Sequence, residues 1–216
     1  MATPVETTTI RPRPGPRDGR LILASASPRR RELLEAAGLS FDVVPAEIDE
    51  RMPGSETPGE GVVRLSGEKA RAVSGLYPGR VVLAADTVVS LGDKIFGKPR
   101  DAAEARLMLE CLSGRVHAVT TGFAVVGGGP GPGKSGSGMS GSVETRVSFR
   151  NLTAREIDQY LARGESADKA GAYAVQLGGG ALCDRIEGSY TNVVGLPLKE
   201  VLEALVAVMG FDPREK

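Results

Sequence analysis

Up to position 114 the chain alternates strand-like and helix-like stretches; after that the alternation breaks. "RLILAS" (20–25), "SFDVVPA" (40–46) and "RVVLAADTVVSLG" (80–92) are apolar or alternating runs that read as strands. Between and after them, "PRRRELLEAAG" (28–38), "EGVVRLSGEKARAVSGLY" (60–77) and "AAEARLMLECLSG" (102–114) carry helical spacing, while "DKIFGKPRD" (93–101) reads as a turn and a short extended piece. Two strand patterns then follow one another, "RVHAVTTGFAVVG" (115–127) and "VETRVSFRNL" (143–152), separated by a tract of Gly, Ser and Pro. A strand that returns through a helix pairs in parallel; a strand that returns directly pairs antiparallel. Both kinds are present, so the predicted fold class is α/β with a mixed central sheet flanked by helices. A helix at 153–165 starts on the capping box Thr153–Glu156, "ALCDRIEGS" (181–189) reads as a strand, and a last helix at 197–210 has Pro197 in its first turn.

Composition excludes several function classes. The chain has 216 residues, 41% of them hydrophobic, which suits a globular domain with a sizeable core. Lys+Arg and Asp+Glu are equal at 27 each, so no global field draws in nucleic acid, and an anionic substrate must be met by locally gathered cations. Trp is absent and aromatics are 4%, which leaves no stacking platform for single-stranded nucleic acid. Cys111 and Cys183 form neither a disulfide framework nor a zinc spacing and are expected as packed small residues in a reducing cytoplasm. His117, the one histidine, is expected to be structural. Residues 1–19 have three prolines by position 14 and no apolar run, so they read as a disordered tail rather than a secretory signal. Nothing resembles a membrane span. Residues 20–210 are expected to form a single domain.

"GGPGPGKS" (128–135) matches the phosphate-loop spacing G-x-x-x-x-G-K-S. That motif works by feeding directly into a helix whose first amides hold phosphate. Here the following residues are "GSGMSGSVETRV", and glycine costs about 1 kcal/mol per helical position relative to alanine. The expected structure for 128–142 is a flexible Gly/Ser-rich insertion at a hairpin tip.

The chemistry concentrates elsewhere. In "SASPRRR" (25–31), Ser27 is placed as an N-cap and Pro28 at the first helical position, yet Arg29, Arg30 and Arg31 load the first turn with the charge that a helix N-terminus disfavours. An anion in front of that turn, held with Ser25, resolves the conflict. Asp86 stands inside the apolar run "VVLAADTVV", facing the side of Val82, Ala84 and Val88 if the alternation is regular. A buried carboxylate needs a metal, a cation or a role as a base. Thr87 faces the other side, unless the strand ends there and both line a cleft. Glu47, Asp49 and Glu50 of "EIDER" could converge with Asp86 on a divalent ion, most simply Mg2+. Lys69 and Lys98 supply further cations. Gln176, in the Gly-rich stretch 168–198, has the donor and acceptor needed to read a base edge.

Together, "LILASASPRRRELLEAAGLSFDVVPAEIDE", "EKARA", "AADTVV", "GKPRDAAEARLML" and "DKAGAYAVQ…IEGSYTNVVGLPL" resemble the Maf proteins, nucleoside triphosphate pyrophosphatases of the inosine-triphosphate-pyrophosphatase-like fold. The resemblance runs over about 20–208. It implies an elongated sheet with two lobes around a cleft, and hydrolysis of a nucleoside triphosphate to monophosphate and pyrophosphate with a divalent metal, Mg2+ or Mn2+. By the same resemblance Asp86 is the catalytic base, Ser25, Arg29, Arg30, Lys69 and Lys98 grip the triphosphate, and Glu50 helps Asp86 hold the metal. The set Arg29, Thr87 and Gln176 is similar to the subgroup acting on dTTP and UTP, with CTP or modified pyrimidines as further candidates. A homodimer is implied by resemblance only. Three alternatives stand beside this reading: a non-catalytic nucleotide-binding regulator of cell division, 7-methyl-GTP-type specificity, and a phosphate-loop NTPase.

Overall fold

The computed structural model describes residues 21–128 and 135–215. The sheet is mixed, as expected, and has seven strands. Strands β1 (Leu21–Leu23), β2 (Phe41–Val43) and β3 (Val81–Leu91) pair in parallel, through crossovers built on helices α1 (Pro28–Ala36) and α2 (Pro58–Ser74). β4 (Lys94–Phe96), β5 (Val116–Gly128), β6 (Ser135–Phe149) and β7 (Cys183–Glu187) join by antiparallel pairing, giving the order β2-β1-β3-β5-β6-β7, with β4 beside β3. The remaining helices are α3 (Ala102–Leu112), α4 (Ala154–Leu161), α5 (Tyr190–Val194) and α6 (Leu198–Met209).

β3 runs through three hydrophobic clusters. Its first half packs Leu83 and Ala85 against Leu34 of α1 and Leu205 of α6 on one face, and Val82 and Ala84 against Ala70 and Val73 of α2 on the other. Its far end packs Val89 with Leu109 of α3 and Ile157 of α4. The first two clusters cover the two faces of one lobe and the third builds the other, and Asp86, Thr87 and Val88 fall between them.

Hydrogen bonding at β3 is unequal on its two edges. β5 pairs without a break from Val82 to Ser90. On the other edge β1 covers Val81–Leu83 and β4 covers Val89–Leu91, so 84–88 lies in a gap with no strand partner there. The cleft opens at this gap.

α2 approaches this region closely for a local reason. Asp86 lies directly across from Gly122 in the β3–β5 register. A Cβ on Gly122 would sit 2.4 Å from the Val62 carbonyl carbon and oxygen, so only glycine lets the α2 backbone lie against β5 there. That contact brings Lys69, about two turns further along α2, to Asp86.

Several expected boundaries shift. α2 starts before position 60, because Thr57 and Glu60 form a capping box with Pro58 at the first position. β6 starts at Ser135 rather than at 143, and Gly138–Ser142 pair with β5 residues Gly122–Val126. Small residues suit this stretch: a Cβ on Gly141 would lie 3.2 Å from the Phe123 ring. The expected insertion therefore contracts, since its second half is paired strand. Its residues 129–134, like the expected tail at 1–19, lie outside the described residues. Ser135 enters a strand and not a helix, which removes the structural basis of a phosphate loop.

Candidate active site

The cleft at the β3 gap has a volume of about 1200 Å³. The β1–α1 turn (Ala24–Arg30), the segment before α2, the β3–β4 hairpin with Lys98, and the turn around Asp168–Tyr173 line it. Ser25, Arg29, Arg30, Glu50, Lys69, Asp86, Thr87 and Lys98 are all brought together here. Gln176 does not line the cleft; its side-chain carbonyl oxygen is buried without a hydrogen-bond partner.

Lys69 is the centre of the acidic end. Its Nζ lies 2.6 Å from Asp86 Oδ1 and 2.7 Å from Glu50 Oε1, and its side chain is only 7% exposed. Lys98 Nζ lies 3.7 Å from Glu50 Oε2 and is open to solvent. Burial works to raise the Glu50 pKa, but the Lys69 hydrogen bond and the charges of Lys69, Lys98 and Arg30 together hold it below the ordinary glutamate value. Asp86 lines the cleft, and no described group bonds its Oδ2.

The wider acidic convergence expected from "EIDER" does not form. Asp49 turns outward onto Arg51, with Oδ2 2.7 Å from Nε, and Glu47 is exposed. Charge pairing within the loop wins over assembly in the cleft for Asp49, and only Glu50 of the three reaches the Asp86–Lys69 pair.

The α1 turn is built as the charge conflict suggested. Ser27 is the N-cap, but its side chain bonds no amide; its own N–H instead donates to Ser25 Oγ at 3.2 Å. No acidic residue occupies the first turn. Arg29 is half-buried on the cleft wall. Burial lowers its pKa, and Asp168 is the leading charge opposing that shift, ahead of Tyr160 and Glu32.

Arg30 is bound into the protein. Nε donates to Gly195 O at 2.8 Å, Nη1 to Ala85 O at 2.8 Å and to Ser25 Oγ at 3.0 Å, and Nη2 to Thr87 Oγ1 at 3.0 Å. Burial pushes its pKa down to about 10, with Asp86 and Glu50 opposing and Arg29 adding to the shift. Thr87 Oγ1 meets Thr121 Oγ1 at 3.0 Å, and Thr121 donates to Asn192 O at 3.1 Å. Thr87 thus faces the side opposite Asp86, as strand alternation requires.

Sequence reasoning missed Asp168. It lines the cleft opposite Arg29, held by an ion pair with the adjacent Lys169. Its turn is strained. Ala172 has φ +62°, the one positive φ outside glycine among the described residues, and the Gly171 N–H donates to Gly97 O at 3.1 Å. The usable signal was the opposite-charge pair "DK" opening a Gly-rich loop.

Glu50 and Asp86 both meet the Lys69 ammonium, with Arg29 and Lys98 on the walls of the same cleft. A family model described as Maf-like protein matches residues 20–208. The chain belongs to the Maf family. Among its relatives, a dTTP/UTP pyrophosphatase of Anaeromyxobacter dehalogenans (strain 2CP-C) is 52% identical over 192 residues, covering 89% of this chain and 95% of that protein. The dTTP/UTP pyrophosphatase of Citrifermentans bemidjiense is 50% identical over 185 residues, covering 86% and 93%. The one from Myxococcus xanthus (strain DK1622) is 50% identical over 185 residues, covering 86% and 90%. The match of this Maf chain to the family model spans both lobes and every block that lines the cleft. No described helix is long and apolar enough to cross a membrane.

Proposed function

We propose that this chain is a nucleoside triphosphate pyrophosphatase that hydrolyses dTTP and UTP to the monophosphate and pyrophosphate. The observation that carries the proposal is the Lys69 ammonium holding Asp86 and Glu50 together at the β3 gap, flanked by the α1 turn and Lys98. The printed activities of relatives about 50% identical over most of their length support the same reading.

The triphosphate lies along the cations. The first turn of α1 lines the cleft, where the N–H groups of Arg29 and Arg30 would be open to phosphate, and Arg29 and Lys98 hold charge on the cleft wall. Ser25 Oγ already accepts from Ser27 and Arg30, which leaves its own proton to donate to a phosphate oxygen. Lys69 Nζ has three N–H groups; Glu50 and Asp86 take two, and the third is left for phosphate. Water attacks the α-phosphorus, the bond from that phosphorus to the bridging oxygen breaks, and pyrophosphate leaves. Asp86 Oδ2 takes the proton of the attacking water. Positioning and charge neutralisation supply most of the acceleration.

A divalent metal fits this site. Lys69 Nζ takes one oxygen of each carboxylate, so a Mg2+ or Mn2+ ion would be held by the oxygens of Glu50 and Asp86 that Lys69 leaves and completed by substrate phosphates, the pattern of an ion bound by one or two carboxylates. Among the described residues no three acidic, His or Cys side chains group into a full protein cage. When bound, the ion supplies further neutralisation of phosphate charge.

Base selection toward pyrimidines rests on the relatives and on the set Arg29, Thr87 and Gln176. Gln176 lies off the cleft wall, so of that set only Arg29 and Thr87 line the cleft, and the relatives carry most of the base assignment. Steady-state pyrophosphate release over dTTP, UTP, CTP, GTP and 7-methyl-GTP, with Mg2+ and with Mn2+, tests the proposal. The expected result is the highest kcat/KM for dTTP and UTP. Preference for a guanine nucleotide contradicts the base assignment, and nucleotide binding without any pyrophosphate release supports the regulator reading instead.

A further inference from the structure

Resemblance assigns Arg30 to the triphosphate, but its hydrogen bonds give it other work, and we propose that Arg30 is a positioning residue that holds the Asp86 segment of β3 in place. The inference rests on the activity proposed above. Its starting point is the gap in β3. A strand edge without a neighbour leaves carbonyls that must find donors, because a buried unpaired carbonyl is costly. Leu83 O is met by the Ala24 N–H at 2.7 Å, the last contact before the gap. Two residues on, Ala85 O points the same way, and Arg30 Nη1 meets it at 2.8 Å. Arg30 Nη2 then bonds Thr87 Oγ1. The guanidinium therefore grips the residues immediately before and after Asp86, and stands where a neighbouring strand would otherwise be.

The other two bonds fix the anchor. Nη1 also reaches Ser25 on the α1 turn, and Nε reaches Gly195 O just after α5. Four of the five guanidinium N–H groups are thereby committed to protein acceptors, two carbonyls and two hydroxyls, with the residue 9% exposed. One N–H remains, too little for the bidentate fork by which arginine grips phosphate. Arg29, next in the chain, is half-buried on the cleft wall with no such commitments. The two arginines divide the work: Arg29 faces the ligand and Arg30 faces the scaffold.

Only a planar fork satisfies four acceptors in these directions, and a lysine ammonium keeps the charge while losing the fork. Arg30→Lys separates the two roles. The expected result is a kcat for dTTP at least about 100-fold lower with KM within about threefold of wild type, the pattern of a displaced reacting group rather than a weakened grip. Faster amide hydrogen exchange across 84–88 is expected in the same variant, a readout that does not depend on turnover. Thr121→Val, a near-isosteric change behind Thr87 and outside the cleft, covers the case in which Arg30→Lys does not fold. It should lower kcat about three- to tenfold and leave KM unchanged. A wild type that releases no pyrophosphate refutes the activity, and the exchange measurement still decides the role of Arg30. Unchanged exchange across 84–88, an Arg30→Lys enzyme with near-normal kcat and raised KM, or a Thr121→Val enzyme with normal kcat would each overturn the inference.

Discussion

The two edges of β3 are built differently. On the β5 side, nine consecutive register pairs run from Val82 to Ser90, and the neighbours are packed side chains. On the other side the ladder stops after Leu83 and resumes at Val89, and between those points side chains replace a strand. The continuous edge holds the molecule together. The broken edge exposes a short backbone segment, with Asp86 at its middle, to an open cleft without leaving that segment free to move. A catalytic carboxylate needs both conditions.

Given that division, substitutions at the broken edge alter turnover with little change in stability, and substitutions at the continuous edge do the reverse. The largest effect belongs to Asp86→Asn, which should lower kcat on the order of 1000-fold while nucleotide binding persists, since Lys69 keeps Glu50 as a partner. Isothermal titration alongside a rate assay checks both halves. A Tm collapse instead would place Asp86 among the structural residues.

The next effect lies on β5. His117 Nε2 bonds Tyr173 Oη at 2.8 Å inside a T-shaped cluster with Phe149, and burial pushes its pKa down to about 4. The unfolded chain binds a proton near pH 6.5 that the folded chain refuses until about pH 4. Stability contributed here is complete above pH 6.5 and is lost as pH falls toward 4, by roughly 3 kcal/mol over that window. Denaturant unfolding of wild type and His117→Gln from pH 7 to 4 should show the variant with the flatter profile. Equal profiles would mean that the histidine does not couple to folding.

Gly122→Ala, also on β5, should cost about 3 kcal/mol, because the added methyl meets the α2 backbone and no flexible side chain can yield. The residual activity of the folded fraction should fall as well, since α2 carries Lys69 to Asp86. Thermal unfolding and a rate assay on the soluble protein check the two effects together. The smallest effect concerns the stretch whose sequence imitates a phosphate loop. Replacing 129–134 with Asn-Gly should leave kcat and KM within about twofold, and loss of nucleotide binding would revive the rival reading.

Much of the fold is legible in the residues, for identifiable reasons. The mixed sheet follows from period and from the strand-to-strand return, and α4 from the box Thr153–Glu156, which the structure forms in full. The start of α2 is obscured because its own box is written T-P-G-E, and proline with glycine reads as loop until the cap is seen. The first half of β6 is hidden because Gly and Ser have low strand propensity, whereas pairing with Phe123 and Val125 of β5 decides the matter. In the site, Asp86, Lys69 and Glu50 converge as expected. Glu47 and Asp49 do not, and for Asp49 a sequence does not reveal that Arg51 claims its neighbour two residues back. The position of Gln176 off the cleft wall and the structural bonds of Arg30 are out of reach for a common cause. Both depend on which groups the fold leaves unpaired, and no local pattern encodes that.

On the proposed activity, the reacting phosphorus sits at the interruption between β1 and β4, beside Asp86. A crystal structure with the non-hydrolysable α,β-imido analogue of dTTP and Mn2+ tests this most directly. The expected density has the triphosphate running from the start of α1 toward Lys98, with the α-phosphorus the nearest to Asp86 Oδ2. A nucleotide bound at 128–135, or one whose phosphates avoid Asp86 and Lys69, would contradict it.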